Sequence, residues 1–278
     1  YEGAHGVFPI GIIRYTPPAC DDQSNRRHTL FAAILPYLEQ VNLFNSFNFS
    51  YGAGHIVNVT AQEARVGTYV CPSDFRATAP LNAPGQPPQY IGVNQGSYAG
   101  VAGTTELFRF RYIPPTNQPQ CNALEGNGVF VINFQYPLSG IRDGTSNTLF
   151  LGETSRYLRQ PDSFQNPWNY GEWFSLVNAP AGSNASMPMD MAYTVPQINA
   201  PLSHADVIPI IDPDPFTWWQ KPEAVTYGQF GFRSQHPGGA LFAFGDGSVK
   251  VLKQGIDLTV YRALGTRKGG EAVSADKY

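Results

Sequence analysis

The sequence predicts an α+β fold dominated by antiparallel strands, with few short helices and long loops. Three observations point there. The stretch 234–252, SQHPGGALFAFGDGSVKVL, reads as turn, strand, turn and strand. Charged residues make up only 14% of the chain, while Gly (28) and Pro (24) are frequent and aromatics reach 13%, the composition of a turn-rich β protein rather than a helical bundle. Helical periodicity is confined to short stretches, chiefly near 36–45 and 258–264.

With 278 residues the chain can bury a substantial core as one large domain or two small ones. We expect one head domain over 1–278, carrying a loop-rich aromatic insertion at about 157–225. A formal net charge of −3 gives no argument for nucleic acid. No run of 18 apolar residues occurs, so no membrane-spanning helix is predicted within the sequence. Sparse lysine with many Asn, Gln, Ser and Thr reads as an exported, extracytoplasmic chain. Asn184-Ala185-Ser186 matches a glycosylation sequon, although in a bacterial protein such a match would usually mean nothing.

In chain order, residues 1–25 read as an irregular entry with at most one strand. Leu30, Phe31, Ile34, Leu35, Leu38, Val41 and Phe44 then recur at helical spacing, and Pro36 forces a kink before a helix running to about Asn45. Glu39 and Gln40 should face outward. Asn58 or Thr60 can cap a short helix through Arg65. A strand at 67–71 is ended by Pro72-Ser73-Asp74, and 75–90 is a surface loop.

Further strands are expected at 90–101, 108–112, 128–134 and 148–152. The region 157–225 holds all four tryptophans among many prolines and is read as loops and short strands outside the core sheet. In the final hairpin, Gly245-Asp246-Gly247-Ser248 has the chemistry of a two-residue turn, and Val249 and Val251 alternate with Lys250 and Lys253 around one wet face. Asp257 caps the last helix, stopped by Gly265 or Gly269.

His236 is the most inviting residue for chemistry. Asp246 lies across the expected hairpin, within reach of a hydrogen bond, so His236 with acidic partners could serve a hydrolase as its base, or the pair could simply hold the loop. No GxSxG elbow accompanies them. Asp143, Thr145, Asn147 and Glu153, with Asp246, form an oxygen-rich set suited to a hard cation such as Ca2+, although Asp-Gly-Thr-Ser-Asn is also ordinary turn and capping chemistry. His204, Asp206, Asp212 and Asp214 make a weaker carboxylate cluster. Trp168, Trp173, Trp218 and Trp219 are candidates for stacking on a polysaccharide, or for a secondary core. Cys20, Cys71 and Cys121 are widely spaced and form no CxxC pair, which leaves open one disulfide with a free thiol or three buried thiols.

Several phrases together resemble one family: LPYLEQ at 35–40, CPSD at 71–74, Tyr98-Ala99-Gly100, DGTSNTLFLGE at 143–153, His236 separated by nine residues from Asp246-Gly247, and IDLTVYRALGTRKGGE at the end. The chain resembles the bacterial prepilin-like family of unknown function that carries a C-terminal His-x9-Asp-Gly motif. The resemblance implies a relative of type IV pilins and type II pseudopilins, with a cleaved leader and a long apolar helix before an antiparallel head. It implies a structural rather than enzymatic role, self-association or partnership with other pilin-like subunits, and membrane contact only through that helix. Tyr1 falls where the helix would end, so the helix is expected to have been removed, processed away or left outside this sequence. The resemblance also implies a cysteine in that helix as a partner for Cys71, a calcium site near the C-terminal loops, and a motif-holding role for His236, Asp246 and Gly247.

Overall fold

The computed structural model describes residues 1–11, 28–51, 56–74, 96–104, 127–131, 134–155, 191–200, 231–271 and 273–278. Its centre is a five-stranded mixed sheet: β1 (Tyr98–Gly103), β2 (Leu149–Glu153), β3 (Met191–Tyr193), β4 (Gly239–Phe244) and β5 (Val249–Lys253), in the order β3-β1-β2-β4-β5. With short helices on both faces, the class is α+β, as the sequence predicts. The β1–β2, β2–β4 and β4–β5 pairings are antiparallel, whereas β1–β3 is parallel.

Among the described residues the helices are α1 (Glu2–His5), α2 (Leu30–Ala33), α3 (Val41–Ser46), α4 (Val59–Glu63) and α5 (Leu258–Leu264). Pro36 opens a 3-10 turn at Leu35–Leu38, and Glu39 ends it in the left-handed region at φ 61, so the kink predicted at Pro36 separates α2 from α3. Glu39 and Gln40 are exposed, as expected. Asn58 does precede α4, yet its side chain does not cap it. Its Oδ1 instead accepts from Asn48 N at 2.7 Å, tying two loops together. Asp257 caps α5 as predicted, accepting from Thr259 N at 2.8 Å and Val260 N at 3.1 Å.

Strand periodicity sorts the sheet between two cores. Ala99, Val101, Leu149, Ala192, Phe242, Phe244 and Leu252 pack beneath α5 with Tyr261 and Leu264. Ala102, Met191 and Tyr193 face the other way, against Leu30, Phe31, Leu35 and Tyr69. Gly152 lies where a Cβ would meet the Phe232 and Phe242 rings at 2.5 Å, so two aromatics close over the bare backbone.

Several local expectations are corrected. Residues Gly67–Tyr69 form a 3-10 turn rather than a strand. Residues 127–130 bend alongside β1, with Phe130 N donating to Val101 O and Gly128 N to Ala102 O, without joining the sheet as a strand. The β4–β5 connection has four residues, with the positive φ at Gly247 (85). Val249 and Val251 face solvent, at 63% and 57% exposure. Leu252 fixes this register: its burial puts Lys250 on the inward side, where the ammonium sits 4.7 Å from the Phe244 and Tyr278 ring centres. Finally, β3 lies within 157–225, so that region supplies an edge strand of the core sheet instead of lying wholly outside it. The expected strand at 108–112 lies outside the described residues.

Candidate functional site

Three of the phrases singled out in the sequence meet at one end of the sheet. The 71–74 turn brings Cys71, the end of β2 brings Glu153, and the loop before β4 brings His236. Cys71 and His236 are 165 residues apart in the chain, yet Sγ lies 3.5 Å from Nε2. His236 Nε2 also stands 3.2 Å from Glu153 Oε1. The three donor atoms all fall within 4.8 Å of one another.

Local structure explains each placement. The Cys71 turn closes through Asp74 N donating to Cys71 O at 2.9 Å. Buried Asp74 anchors that turn: Oδ2 accepts from Ser97 Oγ at 3.0 Å and Oδ1 from Gln235 Nε2 at 3.1 Å. Gln235 also donates to Ser155 Oγ at 3.0 Å, so the residue beside His236 is fastened to the strand end that carries Glu153. His236 N donates to Ser234 Oγ at 3.1 Å. Glu153 is fixed by antiparallel pairing on both sides of β2, and its Oε2 accepts from Leu241 N at 2.8 Å. Its other oxygen, Oε1, is buried and has no hydrogen-bond donor, so the 3.2 Å approach of His236 lacks hydrogen-bond alignment.

The site is electronegative. Burial first, and then the Glu153 carboxylate, push the Cys71 thiol above its ordinary value, while the Ser73 and Asp74 backbone N–H groups pull the other way. Tyr98 is lifted to about 12, mainly by burial and then by Cys71, Glu153 and Asp74 nearby. This is not a nucleophile relay. A relay uses the two ring nitrogens for different partners, whereas here thiol and carboxylate converge on Nε2 alone, and the thiol is harder, not easier, to ionise.

The expected His236–Asp246 contact is corrected. The two stand beyond opposite ends of β4, whose six residues at about 3.3 Å each hold them on the order of 17 Å apart or more. Asp246 Oδ1 instead accepts from Ser248 N at 2.9 Å and Ser248 Oγ at 2.7 Å, which holds its carboxyl below the usual range.

The oxygen set proposed for calcium is only partly brought together: Thr145 and Asp246 adjoin, while Glu153 stands apart. Asp143 Oδ2 accepts from Gly269 N at 2.7 Å and Oδ1 from Gly270 N at 2.8 Å, clasping the C-terminal loop. Asn147 Oδ1 accepts from Tyr278 Oη at 3.1 Å, and Thr145 O accepts from Asp246 N at 3.2 Å. Glu153 lies at the far end of β2 from these residues. Trp168, Trp173, Trp218 and Trp219, the 204–214 cluster, Cys20 and Cys121 lie outside the described residues, among which Cys71 is a free thiol.

What the sequence reading missed is the meeting of Cys71 and Glu153 with His236. Both sit inside phrases it had marked, but neither residue carries a signal of proximity across so many intervening residues.

Fold and site define an α+β head whose marked loops fasten the two ends of one sheet. The chain belongs to the family described as protein of unknown function (DUF1559), whose model matches residues 1–259. No curated protein and no solved structure matches it.

Proposed function

We propose that this chain is an extracytoplasmic, pilin-like or pseudopilin-like structural subunit that works by assembly at the cell surface rather than by turnover, with neighbouring pilin-like subunits as its partners. The observation that carries the reading is the outer edge of β5. It is the last strand of the sheet, pairs on one side only among the described residues, and presents Val249 and Val251 to solvent. Unpaired edges with bare aliphatic side chains invite pairing or burial by another chain. Family membership over nearly the whole chain, and motif residues Asp246 and Gly247 spent on the hairpin turn, support the same reading.

No helix among the described residues is long and apolar enough to cross a membrane, and the reading requires an apolar anchoring helix in the precursor. Determining the precursor's N-terminus tests it. A short basic leader followed by an apolar helix of roughly 20 residues is expected. A plain, fully removed signal peptide joined directly to Tyr1 would sink the assembly reading.

A further inference from the structure

We propose that Cys71 Sγ, His236 Nε2 and Glu153 Oε1 are three ligands of a tetrahedral zinc ion held at the β2–β4 end of the sheet. The spacing carries the argument. Zinc bonds of about 2.3 Å to sulfur and about 2.0–2.1 Å to nitrogen and oxygen, at tetrahedral angles, put S and N about 3.6 Å apart and N and O about 3.3 Å apart. The observed S–N and N–O separations are 3.5 Å and 3.2 Å, and all three donor atoms lie within 4.8 Å of one another, so closing the sulfur–oxygen edge is the one adjustment left to the ion.

A second, independent observation points to a cation. Glu153 is 2% exposed, and its Oε1 is aimed into the cluster with no hydrogen-bond donor. A buried carboxylate oxygen without a donor is costly unless something positive meets it. Leu241 N occupies the other oxygen and so orients the carboxylate, the outer-shell support that metal-ligating carboxylates use. Asp74, Gln235 and Ser155 brace the two loops in the same way.

Ligand chemistry selects the ion. One thiolate, one imidazole and one carboxylate suit zinc, whereas calcium takes six to eight oxygens. Three protein ligands leave a fourth tetrahedral position, and the His236 side chain, 35% exposed, gives access from solvent. The zinc site stands independently of the assembly reading.

The test uses the 278-residue chain, reduced and freed of metal, with Zn2+ and then Co2+ as probes. One Zn2+ per chain is expected after equilibrium dialysis, together with a raised melting temperature. Co2+ should give the intense visible bands of tetrahedral cobalt and a near-ultraviolet sulfur-to-metal charge-transfer band. Cys71→Ser should abolish the charge-transfer band, and His236→Gln should weaken binding by at least the roughly 10–100-fold that outer-shell changes cost metal sites. Substoichiometric zinc, or an octahedral cobalt spectrum without the sulfur band, would overturn the proposal. A Cys20→Ser, Cys121→Ser double variant should keep the sulfur band, and its loss there would overturn the assignment to Cys71 even where Cys71→Ser fails to fold.

Discussion

Glu153 accepts a hydrogen bond from Leu241 N through Oε2 at 2.8 Å while its Oε1 faces His236 Nε2 at 3.2 Å. One buried side chain therefore touches both β4, the entry strand of the C-terminal hairpin, and the loop that precedes it. Glu153→Gln keeps an acceptor for Leu241 N, whereas Glu153→Leu leaves that N–H buried and unpaired. The leucine variant should be less stable than the glutamine variant by about 1–3 kcal/mol, the cost of stranding a buried donor. Urea denaturation of the two proteins measures the difference, and equal midpoints with equal slopes would contradict this role.

Asp143 shows why an oxygen-rich loop need not hold a cation. Its two oxygens already receive the Gly269 and Gly270 amides. Asp143→Ala should lower the melting temperature by the same amount in calcium and in chelator. A loss seen only in calcium would return Asp143 to the metal ligands.

The cap on α5 gives a pH signature. The Asp257 carboxyl is held below its ordinary value, chiefly by the amides of Val260 and then Thr259. A depressed folded-state value means that stability is fully present above the unfolded value, near 4, and is lost as pH falls through the lower folded one. Asp257→Asn should therefore melt a few degrees below the parent chain at neutral pH, and the gap should close in acid. A gap unchanged from pH 7 to pH 2 would show that the charge plays no part.

The α+β class, the hairpin, the α5 cap and the kink at Pro36 were all legible, because each depends on residues close in sequence. Periodicity alone misled at β5. Two valines and two lysines fit either face, and the choice rested on Leu252 and on aromatic rings at 244 and 278 that shelter Lys250. The same limit applies to Arg267. It is 1% exposed, with its guanidinium 3.6 Å from the Tyr136 ring centre and a hydrogen bond to Gly128 O at 3.1 Å, and nothing local distinguishes it from a surface arginine in TRKGG. The Cys71–Glu153–His236 meeting was invisible for the same reason: a turn, a strand end and a loop converge only once β2 lies between β1 and β4.

The assembly reading rests on the edge of β5, which pairs on one side only among the described residues, and site-specific crosslinking tests it there. Val251→Cys, in the protein carrying its natural N-terminus and produced in its native envelope, should crosslink to a neighbouring pilin-like subunit, while a cysteine at exposed Val57, which lies outside the sheet, should not. Equal crosslinking at both positions, or none at Val251 in intact cells, would contradict an interface at β5.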